Sequence, residues 1–264
     1  MKNIIEKANK YKYNSLQYIE VEDLINAKIL IETEECILLY EELRDKSQLY
    51  WAAKSKEKFF EGLCKVVDLI DKKQEKKLYI EFVPEDFVDG LENMGFKIDS
   101  EYIDFWNTDL SAISRGQKDS LTIRYLNNDE YEIASHITRA CRGYSRGFNG
   151  ESSEWIKEWN ETENACVIVA EIQDKIVGIC CISLYGFESE KGPVLWLREL
   201  AVDPEYHSKG IGYSLAGYAI DWGKENGANR SFLACDSENY RAIRLYEKIG
   251  YTRQNGRGQI NMIN

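Results

Sequence analysis

The sequence predicts a mixed α/β fold. Three observations carry this: strand-like and helix-like segments alternate from Leu121 onward, apolar residues make up 44% of the 264 positions, and no apolar run approaches the roughly 18 residues of a membrane span. At about 100–200 residues per domain the length suits one large domain or two small ones, and we divide the chain into 1–118 and 119–264.

The elements of the second part follow in order. LTIRYLN (Leu121–Asn127) reads as a strand, and Asn128 is a cap candidate for a helix carrying Ile133, Ile137 and Ala140 on one face. After the glycine-rich link Arg142–Gly150 comes a short helix around Trp155–Trp159. Two strands, Ala165–Ile172 and Ile176–Leu184, then flank the turn Gln173-Asp174-Lys175. VLWLRELAV (Val194–Val202) is a buried strand closed by Pro204. Ile211, Leu215, Tyr218 and Trp222 share one face of a helix that Gly227 ends. The strand SFLAC, the helix NYRAIRLYEK and a short terminal hairpin complete the chain.

Composition excludes several functions. Lys plus Arg number 34 against 45 Asp plus Glu, a net charge of -11, which argues against a nucleic-acid partner because that requires clustered basic charge. Seven cysteines form no C-x-x-C pair, which places the chain in a reducing cytoplasm without structural disulfides. With only His136 and His207, a Cys/His metal site or Cys-His nucleophile has almost no material, so no metal is expected. Cys180 and Cys181 fall on opposite faces of one strand as small core residues, and His136 reads as a partly buried structural histidine.

Between Val202 and the helix of Ile211 lies His207-Ser208-Lys209-Gly210-Ile211-Gly212. Two glycines at the mouth of a helix let backbone N–H groups approach an anion, and the helix N-terminus adds roughly half a positive charge. The loop is not a Walker loop, since Lys209 precedes Gly210, and it lacks the third glycine of G-x-G-x-x-G. On its own it reads equally as a tight strand-to-helix turn.

VDPEYHSKGIGYSL, followed about twenty-five residues later by NYRAIRLYEKIGY, resembles the GNAT superfamily of N-acetyltransferases. The family's Q/R-x-x-G-x-G/A loop corresponds to His207, Gly210 and Gly212. Its N-x-x-A-x-x-L-Y-x-x-x-G-F/Y helix corresponds to Asn239, Ala242, Leu245, Tyr246, Gly250 and Tyr251. His207 departs from the usual Arg or Gln. The resemblance covers about Leu121 to the C-terminus and implies a twisted, largely antiparallel mixed sheet flanked by helices. It also implies acetyl-CoA as cosubstrate, with a cofactor site of Leu200, Ala201, Val202, His207, Ser208, Lys209, Gly210, Ile211, Gly212, Asn239 and Tyr246.

The implied reaction passes the acetyl group to a primary amine through a tetrahedral intermediate. An alkyl ammonium of pKa about 10.4 must lose its proton before attack, so a base or a water chain is needed. Tyr246 is the implied donor to the leaving thiolate. Glu199 is the candidate base, although strand alternation sets it opposite Arg198 in facing, a one-residue bulge would exchange the two, and a salt-bridged or solvated Glu199, with a water chain in place of the base, is the reading the residues favour. Trp155 and Trp159 either stack on an acceptor or form a core face, and Arg142 and Arg146 would suit a carboxylate-bearing acceptor. A small-molecule amine is the expected partner, with neither nucleic acid nor membrane. The alternative is a non-catalytic acyl-CoA-binding protein of the same fold.

Phe87–Asp99 can be laid on Ala242–Gln254, matching Glu92 to Glu247, Gly95 to Gly250 and Phe96 to Tyr251, with Leu91 in the place of Tyr246. The first part is thus either a degenerate copy of the same fold or a segment sharing only a helix C-cap. It lacks the glycine loop, since its helix is entered through Lys54–Lys58.

Overall fold

The computed structural model describes residues 1–70, 76–112 and 121–264. The chain separates into two compact units, Met1–Glu101 with Arg257–Asn264, and Tyr102–Gly256. The division at 118/119 lies outside the described residues; the boundary by contacts is at 101/102, with the last residues returning to the first unit.

The first unit holds α1 (Lys2–Ala8), β1 (Tyr13–Asn14), β2 (Lys28–Glu32), β3 (Cys36–Glu42), β4 (Ser47–Ala53), α2 (Lys56–Ile70), β5 (Leu78–Val83), α3 (Val88–Asn93) and the start of β6 (Lys97–Asn107). The second holds the rest of β6, then β7 (Thr122–Tyr125), α4 (Tyr131–Ala140), α5 (Ser153–Glu161), β8 (Ala165–Ile172), β9 (Lys175–Tyr185), β10 (Val194–Val202), α6 (Ile211–Glu225), β11 (Arg230–Asp236), α7 (Tyr240–Lys248) and β12 (Thr252–Arg253). The last strand, β13 (Gln259–Ile263), belongs to the first unit.

In the second unit β7, β8, β9 and β10 run antiparallel in chain order. Gln173 and Asp174 both take positive φ, 51° and 61°, so the β8–β9 connection is a two-residue turn whose twist matches its strands. β10 pairs in parallel with β11 only over Val194–Trp196 against Arg230–Phe232, and the two strands part beyond that point. β11 is antiparallel to the second half of β6, which also carries β12. The sheet is therefore mixed and mostly antiparallel, flanked by helices, as expected.

One face of this sheet packs under α6. Ile211, Leu215, Ala216, Ala219 and Ile220 are buried there, and each large side chain contributes about 1.5–3 kcal/mol. Tyr218 and Trp222, expected on the same face, are half-buried at its edge. The close approach depends on Gly178 of β9, where a Cβ would stand 2.9 Å from Leu215 Cδ1. α4 and α5 cover the other face. The α4 expectation is corrected in two places: Glu130, not Asn128, is the N-cap, without a side-chain hydrogen bond, and Ile133 is 50% exposed while Ala134, Ile137 and Thr138 face inward. Cys180 and Cys181 do sit in the cores of opposite faces.

The terminal hairpin does not form. β12 lies on β6, whereas β13 pairs antiparallel with β5 through Ile260, Met262 and Ile263, and Asn261 Nδ2 donates to Ser100 Oγ at 3.0 Å. The reason is burial: Thr252 and Arg253 are exposed, while Ile260 and Met262 alternate onto a face that only the first unit's core can cover. Met262→Ala should accordingly cost about 2–5 kcal/mol of stability in urea unfolding, against less than about 0.5 kcal/mol for Thr252→Ala.

Candidate active site

The site is built where β10 leaves β11. From Leu197 to Val202, β10 has lost its parallel partner while keeping β9 on its other edge. The β9 register shifts between Leu197 and Glu199, so Arg198 is an inserted residue and Glu199 stands opposite Cys181. This is the bulge the sequence left open. It puts Glu199 on the face of Trp196 and Cys181, away from α6, with Leu197 and Leu200 on the other face.

Glu199 is buried and paired with the Arg198 guanidinium. Burial pushes its carboxyl up to about 7, opposed by Arg198 and reinforced by Glu151, which lies 4.0 Å from Arg198. Glu151 is held in place by backbone bonds to α4: its N–H donates to Thr138 Oγ1 at 2.8 Å, and its carbonyl accepts from Ser135 Oγ at 2.6 Å. Two carboxyls thus share one guanidinium beside the parted strands. No local spacing marks Glu151 in the sequence.

Tyr246 enters from the α6 side. It is buried on α7, with ring centroids 6.4 Å from Phe105 and 6.1 Å from Tyr251. Burial raises its phenol well above the ordinary value, and Cys235, Cys180 and Glu199 add to the shift, so the hydroxyl remains a proton donor at neutral pH. It makes no hydrogen bond among the described residues.

Gly210 takes φ +80° as the N-cap of α6, a left-handed turn that glycine adopts without strain, and Ser208 takes φ +62° before it. No side chain caps the helix, so the amides of Ile211, Gly212 and Tyr213 face outward without an acceptor among the described residues. His207 closes the loop. Arg241 Nη1 lies 2.6 Å from its Nδ1; a guanidinium only donates, so Nε2 carries the ring proton and gives it to the Val202 carbonyl at 2.7 Å. Tyr144 meets the ring edge-on at 5.0 Å. Arg241, which the sequence reading missed, is thereby a fixed cation at the loop, with no carboxylate partner among the described residues.

Other candidates take different places. Asn239 Oδ1 accepts from Ala242 N at 3.2 Å and caps α7. Lys209 lies over the Tyr206 ring at 4.4 Å. His136 is exposed, not partly buried, because the buried stripe of α4 runs through its neighbours Ser135 and Ile137. Arg146 is occupied by Asp236 at 3.1 Å and Glu238 at 2.9 Å, so it ties its loop to the start of α7 instead of awaiting a carboxylate.

Residues 129–251, just under half of the chain, match the acetyltransferase (GNAT) family. An uncharacterized N-acetyltransferase of Methanocaldococcus jannaschii is 27% identical over 135 residues, 49% of this chain and 60% of that protein. N-alpha-acetyltransferase 30 of Xenopus laevis is 27% identical over 145 residues, 53% of this chain and 50% of that protein. The chain spans 60% or less of the length of these curated relatives. Among solved structures, a GCN5-related N-acetyltransferase from Sphaerobacter thermophilus aligns with TM-score 0.62 at 14% identity over 95% of this chain and 85% of its own. One from Kribbella flavida aligns with TM-score 0.58 at 13% identity over 97% and 96%. At such identities the likeness is one of fold. The segment that matches the acetyltransferase (GNAT) family lies within the second unit.

Glu199 gives a signed pH dependence. Its folded value lies above the ordinary 4.5, so its stabilising contribution is complete below about 4.5 and is lost as pH rises through about 7. Relative to Glu199→Gln, the wild type should lose up to about 3 kcal/mol between pH 4.5 and 8, read from urea midpoints; parallel curves for the two proteins would contradict this.

Proposed function

We propose that the second unit transfers the acetyl group of acetyl-CoA to a primary amine of a small-molecule or peptide acceptor by direct attack. The observation that carries this is the parting of β10 from β11 with a protonated phenol, Tyr246, on one side and a buried carboxyl of raised pKa, Glu199, on the other. The edge of β10 that β11 leaves along Leu200 and Ala201, with β9 still on the other edge, supports a strand-like seat for an amide-bearing arm. A freed N–H there, acting as oxyanion holes do, would be worth about 3–4 kcal/mol. The left-handed turns at Ser208 and Gly210, the outward amides of Ile211 and Gly212, Lys209, and Arg241 held by His207 together suit a diphosphate.

In this reading Glu199 takes the ammonium proton, directly or through water, and Tyr246 gives its proton to the departing thiolate. Burial raises the proton affinity of the base to near neutrality; Arg198 holds the carboxylate in place and opposes that rise, and Glu151 adds to it.

We also propose that the first unit is a degenerate copy. Its β4 and β5 pair in parallel over three residues before parting, as β10 and β11 do, with a helix between and a helix after. Phe96 N donates to Leu91 O at 3.0 Å as Tyr251 N does to Tyr246 O, and Gly95 N to Glu92 O as Gly250 N to Glu247 O. Without a glycine loop before α2, and with Leu91 where the phenol stands, it has neither an anion cradle nor an acid.

Thiol release from acetyl-CoA with a panel of primary amines tests the reading. Tyr246→Phe should lower kcat by about 10²-fold or more, and wild-type kcat/KM should rise with pH through about 7, a limb absent in Glu199→Gln. Acetyl-CoA binding without turnover on any amine would favour a non-catalytic acyl-CoA-binding protein.

A further inference from the structure

The face of the second unit's sheet turned away from α6 carries an aromatic row unrelated to the family motifs. Along one rung, Trp196 of β10 stands opposite Phe232 of β11, which stands opposite Trp106 of β6. Trp106 and Phe232 rings lie 5.1 Å apart, and Trp196 is met edge-on by Trp159 at 5.7 Å and by Tyr185 at 6.3 Å. Trp155 stacks on Trp159 at 5.2 Å. Four of the chain's six tryptophans therefore gather here. Their neighbours Leu195, Leu233 and Phe105 fill the core beneath α6, so the row is a deliberate second face and not the far side of an unpacked strand. α4 and α5 pack against β8, β9 and β10, and Phe232 and Trp106 remain half-exposed.

Charge narrows what such a floor accepts. The Arg198 guanidinium already lies over Trp155 and Trp196, at 5.5 and 5.8 Å from the ring centroids, so those faces hold a resident cation. Arg230 is turned toward Ser189 and Gly192. The open rings are Phe232, Trp106 and Tyr185. One rung further toward the parting of β10 and β11, exposed Asp104 stands opposite exposed Ala234, and its carboxylate has neither ion pair nor hydrogen bond among the described residues. Glu199 lies on this same face, beyond Trp196. The two carboxyls, Asp104 and Glu199, stand at the end toward the parted strands and Arg230 at the other, so a flat body whose cation lies at the carboxyl end is favoured over one that carries a carboxylate there.

We infer that the acceptor is an arylalkyl primary amine lacking a carboxylate, whose ring lies against Phe232 and Trp106 and whose nitrogen reaches the parted strands near Glu199. The inference rests on the acetyl-transfer reading. Phe232 and Trp106 are specificity-determining residues in it, and neither touches the loop that receives the cosubstrate.

The test compares 2-phenylethylamine, n-butylamine and phenylalanine as acceptors for the full chain, with acetyl-CoA binding followed separately by calorimetry. The expected result is a kcat/KM for 2-phenylethylamine at least about tenfold above the other two. Phe232→Leu should remove that preference with acetyl-CoA affinity unchanged. Equal rates for the aromatic and aliphatic amines, a preference that survives Phe232→Leu, or phenylalanine used as well as 2-phenylethylamine would overturn the inference and leave acetyl transfer standing. Failure of the wild type to bind acetyl-CoA would instead remove the reading beneath it.

Discussion

Everything at the candidate site depends on two neighbouring strands being bonded for three residues and then separating. Parallel pairing of β10 with β11 ends at Trp196 and Phe232, and within two residues the opposite edge of β10 acquires its inserted residue, Arg198. A strand that parts from its neighbour leaves backbone donors and acceptors without partners, which is costly unless something else occupies them. Here the end of β10 is partly satisfied by its own surroundings: the Val202 carbonyl receives His207 Nε2 and the Cys141 thiol. The bulge lets Glu199 and Trp196 share a face despite three steps of chain, and so joins the carboxyl pair to the aromatic row.

The electrostatics follow from the same place. A chain of net charge -11 repels an anionic cosubstrate at long range, so any binding of one has to come from fixed local groups. His207 serves that purpose differently from a cationic side chain. Donating through Nε2 to Val202, it presents Nδ1 as an acceptor that fixes the Arg241 guanidinium from α7, so a second positive charge beside that of Lys209 is brought to the loop from a helix some thirty residues later in the chain. On the other side of the sheet, burial lifts the Glu199 carboxyl to about 7, with Glu151 adding to the rise and the Arg198 guanidinium opposing it, so the carboxyl can both take and return a proton near neutral pH.

The sequence made the alternation of elements in the second unit readable because each is amphipathic with a clear period; the strand Val194–Val202 emerged as read, and of the α6 face Ile211 and Leu215 are buried while Tyr218 and Trp222 stand at its edge. The glycine loop and Tyr246 were readable as motifs. What could not be read depends on partners distant in the chain. Glu151 and Arg241 have no distinctive neighbours, and the bulge at Arg198 follows from pairing with β9. Asn239, expected at the cofactor site, uses its short side chain to cap α7, a role its place before an amphipathic helix also allows. The terminal strand was misread because period-2 alternation shows that a strand needs a core but not which core: Ile260 and Met262 find theirs in the first unit.

Calorimetric titration of the full chain with acetyl-CoA tests the central claim most directly. The account predicts one site per chain, lost in Gly210→Asp, where a carboxylate replaces hydrogen at the left-handed turn, while far-UV circular dichroism stays as in the wild type and Tm falls by only a few degrees for the backbone strain. Two sites per chain, or an unchanged affinity in Gly210→Asp, would contradict it.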